Sequence, residues 1–416
     1  MTEPESVDKR LAGYIHQSTC PACGHHVAVS FFSGGQQPLA TLGWPKSTED
    51  AKAMTKLPLS FVRCVDCGHV YNREFSYNHV PYSDHPNLMF NRSRHWSRHL
   101  DHVRDLILSN LPEKPVVVEI GCGTGHLLSN LAVGCPQGRF IGFDPNAAIS
   151  DATAAVTARQ ALFDPAVHLD EIRPNMVISR HVLEHLLNPL AFVQRLSFAA
   201  EWCGWRTKLY LEVPCIDPVF SVNRVNDFYY EHNSHFTVES FTRMLERCVS
   251  RIHLIETAYG NEVVYGLVTV GEKPHRRSYA KESLAFHSQS IRKKQIIQEQ
   301  LDQLCSSNQS IAVWGGTGKG AAFINYFEMD AERFPVVVDS DTDKAGTCVP
   351  GSGQVIRFRD YLKEHPADVI LICTQWRAND IVAEINECDI SYQKIIIEHE
   401  GRLIDFLNEP NPYKSA

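Results

Sequence analysis

One stretch of the sequence gathers side chains whose types and spacing could do acid–base chemistry. It is Asp227-Phe228-Tyr229-Tyr230-Glu231-His232-Asn233-Ser234-His235-Phe236-Thr237, the densest polar-aromatic cluster in the chain. An imidazole can abstract a proton, a carboxylate can polarise that base, and a phenol can hold a substrate oxygen. A hydrogen-bonded loop packed beneath a sheet would use the same residues without chemistry. A second group suits a metal. Cys20-Pro21-Ala22-Cys23-Gly24 is answered by Cys64-Val65-Asp66-Cys67-Gly68, and two C-x-x-C-G knuckles bring four thiolates to a tetrahedral Zn²⁺. Four thiolates leave no position for water or substrate, so the zinc is expected to be structural; His25, His26 and His69 read as surface histidines.

A third group suits a cofactor. Val116-Val117-Val118-Glu119-Ile120 reads as a buried parallel strand, and Gly121, Cys122, Gly123 and Gly125 turn it into a helix beginning at His126. The G-x-G-x-G spacing with Glu119 ahead of it differs from the G-x-G-x-x-G of a pyrophosphate cradle. It resembles motif I of class I S-adenosylmethionine (SAM)-dependent methyltransferases. Asp144 closes the next strand, Arg139 to Phe143, about twenty residues on, where a carboxylate meets ribose hydroxyls. Arg180 and His181 end the strand from Asn175 and are expected to face the cleft, with His185 four residues later on a helix, as a capping or packing residue. A metal role for His181, Glu184 and His185 fits the spacing but has no further ligand pattern behind it.

The elements that must position these groups follow from periodicity. Strands at Lys208–Pro214, Arg251–Thr257 and Val263–Val270 complete a seven-stranded sheet ending in a hairpin. Trp96, Leu100, Val103, Leu106 and Ile107 recur at helical intervals over 94–110, and Leu59–Arg63 is a strand entering the second knuckle. After a charged helix over 281–305, a second strand–helix pattern begins at Ile311, with strands ending at Asp339, Cys373 and Glu398. Gly315 to Gly320 with Lys319 is either a phosphate cradle or a loop that holds nothing. The expected fold class is α/β: a class I methyltransferase sheet with a zinc-binding N-terminal lobe and a second Rossmann-like C-terminal domain. The expected divisions are a zinc lobe at 1–80, a connector over the active site at 81–114, the methyltransferase domain at 115–275, a linker helix at 276–306 and the C-terminal domain at 307–416.

Charge and composition remove other classes. A net charge of -8 and a pI near 6.2 argue against nucleic acid, whose phosphates demand a basic face. No apolar stretch is long enough for a membrane span. The acidic, polar start Met1-Thr2-Glu3-Pro4-Glu5 is not a signal peptide. Thirteen cysteines, an odd number, read as thiols and metal ligands in a reducing cytoplasm.

The order of parts resembles the three-domain sugar C-methyltransferases, from Cys20 to about Phe406. The knuckles, Arg180-His181-Val182-Leu183-Glu184-His185 and Tyr229-Tyr230-Glu231-His232 carry the resemblance most specifically. It implies a nucleotide-linked keto-deoxysugar as substrate and SAM as methyl donor. His232 is then the proton acceptor, Glu231 its partner, Tyr229 a substrate-oxygen contact, His181 a second polar group, and Tyr82 a tyrosine that closes over the sugar. Where the family continues Leu-Ser-Tyr-Phe, this chain has Asn233-Ser234-His235-Phe236, and Pro86 stands where a second tyrosine is common. The competing readings are O- or N-methylation of another metabolite and a non-catalytic SAM-binding scaffold.

Overall fold

Both cysteine knuckles hang from one antiparallel sheet in the computed structural model, which describes residues 13–42, 44–80, 82, 93–147, 155–271 and 274–415. Its strands follow in order as β1 (Ile15–Gln17), β2 (Val27–Gln37), β3 (Leu57–Cys64) and β4 (Val70–Asn72). The residues between the knuckles fold back as the β2–β3 pair, which sets Ala28 opposite Cys64. A fifth strand arrives from far along the chain. β10 (Ser234–His235) pairs with β4, Ser234 opposite Tyr71 and His235 opposite Val70. The N–H of Asn72 donates to the carbonyl of Asn233 at 2.8 Å, and the side chains of His69 and Ser234 meet at 3.2 Å. The 227–237 cluster, expected at the carboxyl edge of the methyltransferase sheet, therefore also completes the lobe's sheet. It covers an edge whose N–H and C=O groups need partners.

The seven-stranded sheet has the order β11-β12-β9-β8-β5-β6-β7. β5 (Val116–Ile120), β6 (Arg139–Phe143), β7 (Val156–Arg159), β8 (Met176–Arg180) and β9 (Thr207–Pro214) are mutually parallel. β12 (Val263–Val270) runs antiparallel between β9 and β11 (Arg251–Ala258). Parallel pairing sets Ile120 beside Ser179 and Arg180 beside Glu212, so the loops that follow β5 and β8 open side by side. α1 (Arg94–Leu108) buries Trp96, His99, Val103 and Ile107, and its N-cap Ser93 accepts from the N–H of Trp96. Of the connector, residue 81 and residues 83–92, Pro86 among them, lie outside the described residues.

After the glycine loop comes α2 (His126–Gly134). His185 is not on a helix: it ends a single 3₁₀ turn, Leu183–His185. The helix waits for α3 (Pro189–Cys203), because Asn188 caps the N–H of Ala191 and Pro189 occupies the first turn. α4 (Val238–Cys248) follows β10, with Thr237 and Ser240 closing a reciprocal capping box.

The chain divides into two compact units, Met1–Ser278 and Tyr279–Ala416. The charged helix is α5 (Pro274–Ser306). The second unit holds a six-stranded sheet with the order β15-β14-β13-β16-β17-β18. Its strands are β13 (Ile311–Trp314), β14 (Val336–Asp339), β15 (Ile356–Phe358), β16 (Val369–Ile372), β17 (Lys394–His399) and β18 (Arg402–Asp405), all parallel except the last. Among the described residues no helix is long and apolar enough to cross a membrane.

Close packing beneath the glycine loop gives a stability test. A Cβ on Gly142 of β6 would lie 2.4 Å from Cys122 Sγ and 3.1 Å from Leu128. Gly142→Ala should therefore cost about 1–3 kcal/mol of stability, read as a lower midpoint in urea; an unchanged midpoint would show that the loop yields.

Candidate active site

Cys20, Cys23, Cys64 and Cys67 are buried, with sulfurs within 4.8 Å of one another. Cys20 Sγ lies 3.7 Å from Cys67 Sγ, and Cys23 Sγ 3.6 Å from Cys64 Sγ. Sulfurs placed about 2.3 Å from a tetrahedral zinc stand about 3.8 Å apart, so the cluster has the dimensions of that metal. Backbone N–H groups of Ala22 and Cys23 point at Cys20, that of His25 at Cys23, and that of His69 at Cys67. The contact with Cys20 holds Cys67 down to about 6 and, with burial, pushes Cys20 far up. Thiols this close cannot all ionise without a cation among them. The residues fit zinc.

At the ends of β5 and β6 the cofactor residues come together. Gly121 has φ +75° and a Cβ there would lie 2.5 Å from Val182, so the loop and the turn after β8 touch. Four of the loop's five amides are spent within the protein. Gly121 and Cys122 donate to the Phe143 carbonyl, Gly125 to that of Cys122, and Gly123 to Asp144 Oδ2 at 3.1 Å. Such a loop offers shape rather than a phosphate cradle. Cys122 is buried with its thiol turned toward Gly142, so only its backbone borders the loop. Asp144 also accepts from the N–H of Asn146 at 2.7 Å, and the Asn146 amide donates to the carbonyl of Tyr82 at 2.6 Å. Glu119 is buried, and its Oε2 has no hydrogen-bond partner. Burial pushes its carboxyl up to about 8, with Arg180 pulling against this and Asp144 adding to it. An orphaned acid beside a ribose-type acid fits the ammonium and diol ends of SAM.

Arg180 and His181 do not stand free in the cleft. The guanidinium donates from Nε and Nη2 to Glu212 Oε1 at 3.1 and 2.8 Å, and His181 Nε2 lies 3.1 Å from the same oxygen. Glu212 Oε2 takes the Tyr210 hydroxyl at 2.8 Å and sits 3.1 Å from His99 Nε2. Burial alone would raise Glu212, but Arg180 and the bonds from His181 and His99 hold it well below the carboxylate range. His181 adopts φ +53°, and its Nδ1 lies 3.4 Å from Glu184. Burial opposes its charged form, yet Glu184 and Glu212 outweigh burial and raise it. Both ring nitrogens therefore face carboxylates, where a substrate contact had been expected.

The polar cluster is assembled differently from the family pattern. Tyr229 Oη and His232 Nε2 are 2.9 Å apart. Glu231, the expected partner of His232, turns away: it is fully buried and accepts from the N–H groups of Ala40, Thr41 and Leu42 at 3.1, 2.6 and 3.0 Å and from the Thr41 hydroxyl. Those donors belong to the zinc lobe, so Glu231 fastens the lobe rather than the imidazole. Its carbonyl meets His185 Nδ1 at 2.8 Å and accepts from Tyr82 Oη at 3.1 Å. His185 and His232 stand edge to face with ring centres 4.7 Å apart, which makes His185 part of the site rather than a packing residue. Burial, followed by the neighbouring His185, His235 and His181, lowers His232 well below its ordinary value.

Glu212, His99 and the Ala40–Leu42 loop had been given no role from sequence. For Glu212 a signal existed: one carboxylate in the apolar strand Leu209-Tyr210-Leu211-Glu212-Val213 must be paired. Two results test these assemblies. Glu212→Ala leaves Arg180 buried and uncompensated and should cost about 3–5 kcal/mol in chemical denaturation; a loss below about 1 kcal/mol would make the network a surface-like pair. Cys64→Ser should lower bound zinc below one equivalent by elemental analysis and expose the β4–β10 amides to hydrogen exchange, and retained metal would refute the site.

Two family models match parts of the chain. Residues 91–248 match the family model of a methyltransferase domain, and residues 271–398 that of a C-methyltransferase C-terminal domain. No curated protein matches the sequence. Similar solved structures include a SAM-dependent methyltransferase from Aquifex aeolicus (13% identity, 44% of this chain and 100% of that one, TM-score 0.32). Human N-acetylserotonin methyltransferase in complex with SAM has 12% identity over 42% of this chain and 55% of its own, TM-score 0.31. The plantazolicin methyltransferase BpumL in complex with SAH has 13% identity over 44% and 87%, TM-score 0.34. The chain thus carries a methyltransferase domain with the class I sheet and a C-methyltransferase C-terminal domain.

Proposed function

We propose that the chain methylates a carbon adjacent to the carbonyl of a nucleotide-activated keto-deoxysugar, in the cytoplasm, with a structural zinc in its N-terminal lobe. The match of residues 271–398 to a C-methyltransferase C-terminal domain supports carbon as the acceptor. The Tyr229–His232 pair is the observation that carries the chemistry. A C–H beside a carbonyl is acidic only while its enolate is stabilised, so the site needs a base and a donor at the oxygen.

His232 supplies the base. With Nε2–H donating to the Tyr229 oxygen, Nδ1 keeps its lone pair, and no described residue bonds to it. The depressed basicity of His232 keeps the ring neutral at physiological pH. Nδ1 takes the proton while the C–H electrons move onto the carbonyl oxygen, and the Tyr229 hydroxyl donates to that oxygen. Burial raises Tyr229, as do Glu184 and Glu231 nearby, so its hydroxyl stays protonated and able to donate. Tyr82, tied to His185 at 2.9 Å and to the Glu231 carbonyl, closes the sugar side. Glu119, Asp144 and the Gly121–Gly125 loop would hold SAM, which when bound would supply an electrophilic methyl; what these residues contribute is its positioning beside the substrate carbon.

Incubation with a panel of nucleotide-linked 4-ketosugars and SAM should yield a sugar heavier by one methylene in the mass spectrum; a methyl on oxygen by NMR would move the acceptor off carbon. His232→Ala should keep SAM affinity and lose about 10²–10⁴-fold in turnover. Because its charged form is disfavoured, His232 stays a competent base as pH falls through 6.5, and the acid limb of kcat/KM should lie below that value. A limb above it would assign the proton to another group.

A further inference from the structure

The family pattern gives the base a neighbouring glutamate, yet Glu231 is committed to the Ala40–Leu42 loop through four hydrogen bonds. Another carboxylate faces the histidines. Glu184 sits in the 3₁₀ turn after β8, its side chain 2% exposed, and neither of its oxygens has a hydrogen-bond partner. An oxygen of Glu184 and ring nitrogens of His185 and His232 lie within 4.8 Å of one another, and Oε1 is 3.4 Å from His181 Nδ1. This buried carboxylate makes no hydrogen bond, pairs loosely with His181, and stands close enough to His232 to face the charge that proton transfer creates there.

We infer that Glu184, rather than Glu231, is the positioning residue for the base: its charge faces the imidazolium that forms at His232 and holds that ring toward the substrate carbon. The inference rests on His232 being the proton acceptor. The proton moves from the substrate carbon to His232 Nδ1, the electron pair passes to the carbonyl oxygen, and Glu184 takes no proton. The charge also reaches the donors, since it contributes to keeping Tyr229 and Tyr82 protonated. The titratable groups facing His232 are Tyr229 and His235 from its own segment and His181, Glu184 and His185 from the segment after β8. Among these only Glu184 can carry a negative charge at neutral pH.

Glu184→Gln keeps the shape and removes the charge. With a nucleotide-linked 4-ketosugar as probe, its kcat should fall on the order of 10²-fold, with KM for SAM within about twofold. The acid limb should move to lower pH, because losing the anion weakens the base, and Glu184→Asp should restore part of the rate. Unchanged kcat, or an unmoved acid limb, in Glu184→Gln while His232→Ala is inactive would overturn the role of Glu184 alone. Full turnover in His232→Ala would overturn the base and Glu184 together. A second equivalent of bound metal in the native protein, lost in Glu184→Gln but kept in Cys64→Ser, would overturn the inference by making Glu184, His185 and His232 a metal site.

Discussion

Everything at the open end of the methyltransferase sheet depends on the charge of Glu212. A carboxylate with no exposure at all is tolerated only when its oxygens are filled, because desolvating an ion costs several kcal/mol. Here four side chains from three elements fill them: Arg180 and His181 from the end of β8, Tyr210 from β9 itself and His99 from α1. Each donor is fixed by the requirement of the others. The arginine cannot reach into solvent, the imidazole is held in a left-handed backbone, and the helix carrying Trp96 and His99 is drawn onto the sheet. The guanidinium then lies over the Trp96 ring at 5.8 Å, so electrostatics and aromatic packing specify one arrangement.

A second dependence runs from the four-cysteine lobe to His232. Loops position side chains poorly unless a neighbouring framework locks them. Tyr229 and His232 lie on a loop locked at two places. Downstream, Ser234 and His235 are a strand of the lobe's sheet. Between them, Tyr230 accepts the N–H of Ser76, and Glu231 accepts three backbone amides. The sheet that holds the four thiols therefore also holds the segment carrying Tyr229 and His232.

Much of this was legible in the sequence. Apolar runs without alternation located the parallel strands, the cysteine spacing located the four-thiol cluster, and the glycine loop and Asp144 located the residues that meet at the ends of β5 and β6. Those signals are local, since each depends on residues within one turn or strand. The pairing inside the site was not legible, because it depends on which side chains long loops bring together. Glu231 and Glu184 are both acids followed by a histidine, and sequence favoured the first as the partner of the base. The fold gives the first to backbone amides of the lobe and leaves the second facing the imidazoles. His185 was misread for a related reason: Pro189 delays the helix, and the intervening turn swings the ring into the site.

The two-residue strand β10 also bears on how the protein assembles. His69 and Ser234 are 165 positions apart, and Leu42 and Glu231 189 apart. Contacts of such sequence separation form late, because the intervening chain must be ordered first. During synthesis the lobe can fold around its thiols with one edge open, and that edge stays open until the whole parallel sheet has emerged and folded. Closing it brings Tyr229 and His232 into register with the lobe, so the two side chains take their places only after the lobe and the parallel sheet have both formed.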